Sequence, residues 1–218
     1  MGIPVLILGE SGSGKSTSLR NFDESEVGIF NVASKPLPFR KKLMLINKAT
    51  YPLIQKTLAK ATLKKYVIDD SQYLMCFEMF GKINEKGYDK FSTCAKNFYD
   101  LIQFVINNTP DDCIVYFLHH IDRADDGRIK AKTQGKMLDN QLTVEGLFSI
   151  VLLATTDGRN HNFVTTSDGT SPAKAPLDMF PDVIDNDLKM VDDTIRNYYG
   201  FDETMNNFFE DRKEGTEE

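Results

Sequence analysis

The stretch "IPVLILGESGSGKST", residues 3–17, decides the fold of this chain. An apolar run of strand type leads directly into a loop that fits G-x-x-x-x-G-K-[ST], and helix-compatible residues follow. Glycines let a backbone wrap closely around a polyphosphate, and successive N–H groups direct partial positive charge at the anion. The motif predicts a phosphate-binding loop between a buried strand and a helix. The alternative is a glycine-rich strand-to-helix turn that holds no nucleotide.

The residue types of this loop suggest individual roles. Lys15 would reach the β- and γ-phosphates and assist catalysis, and Ser16 would ligate Mg²⁺. The predicted nucleotide-binding residues are Gly9, Glu10, Ser11, Gly12, Ser13, Gly14, Lys15, Ser16 and Thr17.

A second signature is "YVIDD", residues 66–70, an apolar strand that ends in two carboxylates and looks like a Walker B element. Asp69 would hold Mg²⁺, because a hard cation prefers carboxylate oxygen and keeps several of its own waters. Asp70 stands where many phosphate-loop ATPases carry a glutamate that orients the attacking water. The alternative for Asp70 is a helix N-cap.

A third candidate element is "CIVYFLHHID", residues 113–122. Ligands of open parallel sheets lie beyond the carboxyl ends of the strands, where we expect His119 and His120. One of them, with His120 favoured, would hydrogen-bond the γ-phosphate or the attacking water; the alternative is a structural histidine. The loop that follows is basic and would contact DNA or a neighbouring subunit's phosphates, unless it is an ordinary solvated loop. Its basic residues are Arg123, Arg128, Lys130, Lys132 and Lys136.

The charges are unevenly distributed along the chain. The formal net charge is -6, yet residues 31–66 hold nine basic residues and no acidic one. Such asymmetry favours an anionic partner, and the alternative is a solvated lysine-rich surface. The candidate contacts to single-stranded DNA are Arg40, Lys41, Lys42, Lys130 and Lys132, with Phe39, Tyr51 and Tyr66 as candidates for stacking on bases.

Strands and helices alternate along the sequence, which predicts an α/β fold with a mostly parallel sheet, helices on both faces and a C-terminal antiparallel hairpin. The hairpin is predicted from "FSIVLLATT" and "HNFVTT" around a turn at Asp157-Gly158. Predicted strands span 3–8, 27–33, 65–69 and 113–119, with a further short one in "KLMLINKA"; predicted helices lie within 9–22 and at 51–61, 72–81, 90–108 and 188–199. We expect one domain over 1–205 and a charged, flexible tail over 206–218.

Composition predicts a soluble cytoplasmic protein. Apolar residues make up 41% and charged residues 27%, and no apolar run approaches the length of a membrane span. The segment "IPVLIL" lacks the features of a signal peptide. The three cysteines, Cys76, Cys94 and Cys113, fit free thiols in a reducing compartment and argue against a zinc site.

Five segments together resemble the RecA-like phage AAA-family P-loop ATPases, single-domain recombination proteins associated with single-strand annealing. They are "GESGSGKST", "VIDDSQYL", "YFLHHID", "KTQGKMLDNQLTVEGLFSIVLLAT" and "TTSDGTSPAKAPLDMF". The resemblance spans nearly the whole chain. It implies a RecA-like fold, ATP and Mg²⁺ as cofactors, ATP hydrolysis, homo-oligomers, and binding of single-stranded DNA in phage recombination or replication in the host cytoplasm.

The resemblance also suggests a basic finger and reveals one departure. Lys174 in "SPAKAP" would reach a γ-phosphate across a subunit interface, with Arg128 as a second candidate; the alternative for Lys174 is a solvated loop lysine. RecA-type proteins usually carry a catalytic glutamate where this chain reads "NVASK", residues 31–35. Hydrolysis would then depend on Asp70 or be slow.

Two other functions fit the same motifs. The first is a P-loop nucleotide or small-molecule kinase. Such kinases need several convergent arginines, and the seven arginines of this chain show little clustering. The second is a nucleotide-gated assembly factor without significant turnover.

Overall fold

A single mixed sheet organises the part of the chain that the computed structural model describes, which is residues 1–87, 89–134 and 142–201. Its strands are β1 Ile3–Gly9, β2 Gly28–Asn31, β3 Met44–Asn47, β4 Lys65–Asp69, β5 Ile114–Arg123, β6 Ile129–Ala131, β7 Ile150–Thr156, β8 His161–Val164 and β9 Val183–Asp185. The helices are α1 Tyr51–Leu58, α2 Gln72–Gly81, α3 Asp89–Asn108 and α4 Leu188–Tyr199, with 3-10 helices at Ser16–Asn21 and Val144–Leu147.

The strand order is β3-β2-β4-β5-β1-β7-β8-β9, and β6 pairs with β5. The six strands from β3 to β7 in this order run parallel, whereas β6, β8 and β9 are antiparallel to their neighbours. The predicted α/β class with a mostly parallel sheet is confirmed, and β7 and β8 form the predicted antiparallel hairpin.

Side chains of β1 alternate between two hydrophobic cores, as expected of a strand buried on both faces. Leu6 and Leu8 pack with residues of α1, α2 and α3 on one face. Val5 and Ile7 pack on the other face with the 3-10 helix after β1 and with α4. Helices therefore cover both faces of the sheet. The glycine-rich loop and the carboxylates of "YVIDD" lie at the ends of the strands.

The carboxyl ends of β1, β4 and β5 lie together because β5 pairs with both other strands in parallel. We call this side of the sheet the carboxyl edge. The glycine-rich loop, residues 9–17, follows β1 there, and Asp69 ends β4. The strand order thus brings the loop and the "YVIDD" segment to the same edge.

Several predicted bounds were wrong. The element after the glycine-rich loop is a 3-10 helix, in which the Ser18 hydroxyl donates to the Lys15 carbonyl at 2.6 Å and so competes with α-helical bonding. Helix α1 ends at Leu58 rather than 61, since Ala61 has a left-handed φ of 39°. Strand β5 continues to Arg123 because its end pairs with β6, and the segment between β8 and α4 contains β9, where no strand was predicted.

No helix within the described ranges is long and apolar enough to cross a membrane. The predicted tail over 206–218 and Lys136 lie outside the described residues.

Candidate nucleotide-binding site

The glycine-rich loop has a backbone that requires glycine at specific positions. Gly12 and Gly14 adopt φ values of 82° and 94°, which L-residues with a side chain rarely adopt. A Cβ on Gly9 would lie 2.4 Å from Ser13 Oγ, and one on Gly14 would lie 2.9 Å from His161 Nδ1. The loop is therefore shaped by close backbone approach, as the motif predicts.

Lys15 turns inward over this loop. Its Nζ donates hydrogen bonds to the carbonyl oxygens of Gly9 and Glu10, each at 2.8 Å. Burial lowers the pKa of Lys15 to about 8, although the charges of Asp70 and Asp69 oppose the shift. The loop thus holds a buried cation on two neutral acceptors, which phosphate oxygens could replace.

Ser16 and Asp69 meet across the carboxyl edge. The Ser16 hydroxyl donates to Asp69 Oδ1 at 2.9 Å. Burial and the neighbouring Asp70 raise the pKa of Asp69, while the bond from Ser16 opposes the rise. A hydroxyl and a carboxylate are hard oxygen ligands that suit Mg²⁺.

No group of three or more His, Cys, Asp or Glu residues capable of holding a metal occurs in the described ranges. This donor set fits Mg²⁺ as it is held in nucleotide sites, where few protein oxygens are joined by phosphate oxygens and water. Ser16 and Asp69 are the residues that would hold it.

Asp70 is engaged by two groups and caps no helix. Lys35 Nζ lies 2.8 Å from its Oδ2, and His120 Nε2 lies 3.2 Å from its Oδ1. Burial favours a higher pKa, but the hydrogen bonds from His120 and Lys35 and their charges lower the pKa of Asp70 to about 2. Helix α2 has Ser71 as its N-cap residue, which argues against the capping alternative. An ionised carboxylate of such low basicity can orient a water molecule but is a weak proton acceptor.

The two adjacent histidines have different environments. His119 is fully buried; its Nε2 donates to the Lys132 carbonyl and its Nδ1 accepts from the Ser71 hydroxyl, both at 2.8 Å. Burial lowers the pKa of His119 to about 4, so its ring is neutral and structural at pH 7. His120 lies beside Gly9 in the pairing of β5 with β1 and reaches Asp70. The preference for His120 as the candidate therefore agrees with the geometry.

Lys35 also belongs to the site. The sequence analysis counted it only among the nine basic residues of segment 31–66, which we call the basic block. Its turn is held by Asn31, whose Nδ2 donates to the Lys35 carbonyl at 2.7 Å and to Asn47 Oδ1 at 2.9 Å. The segment "NVASK" thus supplies a lysine that pairs with Asp70. The signal in the sequence that could have identified Lys35 is the position of this segment directly after β2, where ligands of parallel sheets bind.

A cavity of about 520 Å³ adjoins the loop on the Thr17 side. Arg20 Nη1 donates to the Asn186 carbonyl at 2.5 Å, which ties the 3-10 helix to the segment after β9. Polar side chains line this cavity, and the sequence analysis gave a role to Thr17 alone among them. The lining residues are Thr17, Arg20, Arg159, Asn160, His161, Asn162, Asp185 and Asn186. Such a lining can accept a polar group that extends from the loop.

Neither candidate finger forms a side-chain hydrogen bond to the glycine-rich loop within the described residues. The backbone of Lys174 pairs with Val151, and its side chain is exposed. Arg128 bonds its near neighbour Asp126 through Nε at 2.6 Å. Arg123 is the loop arginine that touches the glycine-rich loop, with Nη2 at 3.0 Å from Glu10 Oε1.

The candidate DNA contacts do not form one group. Arg40, Lys41 and Lys42 are exposed and precede the amino end of β3. Lys130 and Lys132 follow the carboxyl end of β5, at the opposite edge of the sheet. Within the described residues, the two sets therefore lie at opposite ends of the strands and not side by side.

Parts of the basic block are structural. Lys65 bonds Glu26 and Asp192, and Lys64 pairs with Asp112. Tyr66 is buried and stacks on Phe30, so the predicted stacking of Tyr66 on bases is wrong. Phe39 packs against the core beside α4, whereas Tyr51 lines a cavity.

The residues that do meet are Lys15, Ser16, Asp69, Asp70 and His120, joined by Lys35. Comparison of the chain with protein-family models and with curated proteins finds no significant match.

Proposed function

We propose that the protein is a Mg²⁺-dependent ATPase with a RecA-like P-loop fold that acts on single-stranded DNA in phage recombination or replication. The observation that carries the proposal is the 2.9 Å hydrogen bond between Ser16 and Asp69, which joins two motifs far apart in sequence at the end of the glycine-rich loop. A glycine-rich turn that binds no ligand would not require a hydrogen bond from Ser16 to a buried carboxylate.

The roles follow from the chemistry of each group. Lys15 binds the β- and γ-phosphates in place of its two carbonyl partners. Ser16 and Asp69 hold Mg²⁺, which would neutralise phosphate charge. Asp70, kept ionised by Lys35 and His120, orients the attacking water. The weak basicity of Asp70 suits orientation, in agreement with a phosphoryl transfer that needs little proton abstraction early in the reaction.

A small-molecule or nucleotide kinase is the second candidate, favoured by a cavity of about 820 Å³ that reaches Ser34, next to Lys35. An acceptor bound there would lie near the Lys35–Asp70 pair. Water is the acceptor in the ATPase proposal, so the two candidates differ in which molecule receives the phosphoryl group.

Binding of single-stranded DNA is supported by the exposed cations of the basic block. Lys48 and Lys56 are exposed near the carboxyl edge, and Arg40 and Lys42 are exposed near the amino edge. Charge reversal of each pair therefore compares DNA binding at the carboxyl ends of the strands with DNA binding at their amino ends.

The test measures phosphate release by the full chain with and without single-stranded DNA, beside phosphate transfer to a panel of nucleosides. The ATPase proposal expects release that DNA raises and that Lys15→Ala abolishes, with Lys60→Ala, an exposed lysine, as control. Transfer to a nucleoside in place of release would favour the kinase. DNA binding that neither Lys48→Glu/Lys56→Glu nor Arg40→Glu/Lys42→Glu weakens, with no salt dependence, would contradict the DNA part.

A further inference from the structure

A cavity of about 820 Å³ lies between the carboxyl ends of β2 and β3 and helices α1, α2 and α3. Its walls combine apolar and aromatic side chains with a small number of polar groups, which is the usual composition of a small-molecule site. The residues that matter for its chemistry are Tyr51, Phe77, Glu78, Asn97 and Lys48.

Among the residues that the structure describes, two buried polar atoms on this cavity have no hydrogen-bond partner: Tyr51 Oη and Glu78 Oε2. The other carboxylate oxygen of Glu78 accepts from Asn97 Nδ2 and from Lys82 Nζ, both at 2.7 Å. Glu78 is therefore held in place, and the donor near its remaining carboxylate oxygen is the Cys94 thiol, which is a weak one. Buried polar atoms are rarely left unpaired, so these two atoms indicate a ligand that supplies a donor to Glu78.

The Tyr51 hydroxyl complements this acceptor. Burial and the charge of Glu78 raise the pKa of Tyr51, so its hydroxyl stays protonated and can donate. A ligand that offers a donor beside an acceptor would satisfy both atoms at once.

Phe77 provides a planar surface on the same cavity. Its side chain is 50% exposed, and its ring stacks on Tyr73 with centroids 5.4 Å apart. An aromatic ring that is packed on one face and open to a cavity is suited to stacking on a second planar group. Lys48 at the cavity and exposed Lys56, one helical turn beyond Pro52 of the lining, supply positive charge for a phosphate.

We propose that this cavity binds a nucleobase that carries an exocyclic amino group, stacked on Phe77, with the amino group donating to Glu78 Oε2 and the Tyr51 hydroxyl donating to a ring acceptor. Cytosine offers such an amino group beside its ring acceptor N3, whereas 3-methylthymine offers neither an amino group nor a ring N–H. The base can belong to a free nucleotide or to unpaired single-stranded DNA. The inference concerns a site separate from the glycine-rich loop and does not depend on ATP binding there.

The cavity is linked to Asp70 by direct contacts. Tyr73 stacks on Phe77 and lies 5.0 Å beneath Lys35 Nζ, and Lys35 bonds Asp70 at 2.8 Å. A base on Phe77 would thus adjoin the side chains that hold the water-orienting carboxylate, so its binding would alter turnover at the loop.

The experiment measures binding of the full chain to oligo-dC and to an oligonucleotide of 3-methylthymidine of equal length, and to dCMP and 3-methyl-dTMP, without ATP. We expect cytosine to bind about tenfold more tightly than 3-methylthymine, as for one added hydrogen bond to a charged group. Phe77→Ala should weaken binding between about fivefold and about a hundredfold. Phe80→Ala is the matched control, since Phe80 is exposed on the same helix and lies outside this cavity.

Glu78→Gln tests the hydrogen bond itself. The glutamine oxygen can keep the bonds from Asn97 and Lys82, while its amide nitrogen replaces the acceptor Oε2 with a donor. The preference for cytosine should then disappear. Binding of both oligonucleotide and monophosphate with this pattern assigns a free nucleotide as a ligand; the pattern with oligonucleotides alone assigns a base of DNA.

Equal affinity for cytosine and 3-methylthymine, with Phe77→Ala and Glu78→Gln unchanged from wild type, would overturn the proposal, as would no binding of any of the four ligands. Either result leaves the ATPase proposal intact, because ATP hydrolysis and its loss in Lys15→Ala are measured separately.

Discussion

The ammonium group of Lys35 lies 2.8 Å from Oδ2 of Asp70, and this ion pair sits beside the glycine-rich loop. With the bond from His120, it keeps Asp70 ionised at a pKa of about 2 despite burial. In the proposed ATPase, the pair would therefore set the pH range in which Asp70 orients water, and it couples the turn after β2 to the end of β4.

Replacement of Lys35 by Ala should raise the pKa of Asp70 toward its ordinary value, because a lowering contribution is removed. The acid limb of the pH–rate profile for ATP hydrolysis should move to higher pH, with Lys60→Ala as control. Asp70→Asn should retain ATP affinity and lose about a hundredfold or more in turnover. A Lys35→Ala profile that coincides with the wild type, or full turnover in Asp70→Asn, would contradict this role.

The affinity for ATP should fall above about pH 8. Lys15 has a pKa of about 8 without ligand, and bound phosphates would raise it, so binding above this pH takes up a proton. Affinity should then fall by up to about tenfold per pH unit until the higher pKa is reached. Isothermal titration from pH 7 to pH 9.5, at constant Mg²⁺ and ionic strength, checks this. A flat profile would mean that Lys15 does not face the phosphates.

Subunits should complement one another if Lys174 acts across an interface. Lys15→Ala lacks a functional loop but keeps its finger, whereas Lys174→Ala lacks the finger and keeps the loop. Mixing the two inactive variants should restore ATP hydrolysis, and wild-type activity per chain should rise with protein concentration. A Lys174→Ala protein with normal turnover, or a strictly monomeric active protein in light scattering, rules out this role of Lys174; Arg128→Ala tests the second finger in the same way.

Asp192 should be essential for stability. Its buried carboxylate accepts from Tyr116 Oη at 2.8 Å and from Arg196 Nε at 2.7 Å, and Lys65 Nζ lies at 2.9 Å. Asp192→Ala leaves buried cations uncompensated and should lower the free energy of unfolding by about 3–5 kcal/mol. Asp193→Ala, at a largely exposed neighbour, should change it by less than about 0.5 kcal/mol. Denaturant unfolding measures both, and equal effects would refute the importance of the buried network.

Local patterns predicted the α/β class and the separate motifs well. The glycine-rich loop and "YVIDD" each carry their residues close together in sequence, and alternating strands and helices predicted a mostly parallel sheet. Ser16 and Asp69 were each expected to hold Mg²⁺, and they meet at the shared edge to which such a sheet brings the ends of its strands.

Long-range contacts were beyond the sequence. The bond between Lys35 and Asp70 depends on β2 pairing with β4 and on the turn that Asn31 holds. Tyr66 was assigned to base stacking because it ends the basic segment, although its place in an apolar strand of a sheet covered on both faces indicated burial. Periodicity also could not locate β9, a three-residue strand whose partner is β8.

The most direct test of the central claim is the Mg²⁺ dependence of ATP binding in wild type, Ser16→Ala and Asp69→Asn, with exposed Ser25→Ala as control. Titration of a fluorescent ATP analogue with and without Mg²⁺ gives the affinities. If Ser16 and Asp69 form the Mg²⁺–ATP site, Mg²⁺ will strengthen binding to the wild type and to Ser25→Ala but not to the two site variants. Equal effects of Mg²⁺ on all four proteins, or no binding of ATP by the folded wild type, would contradict it.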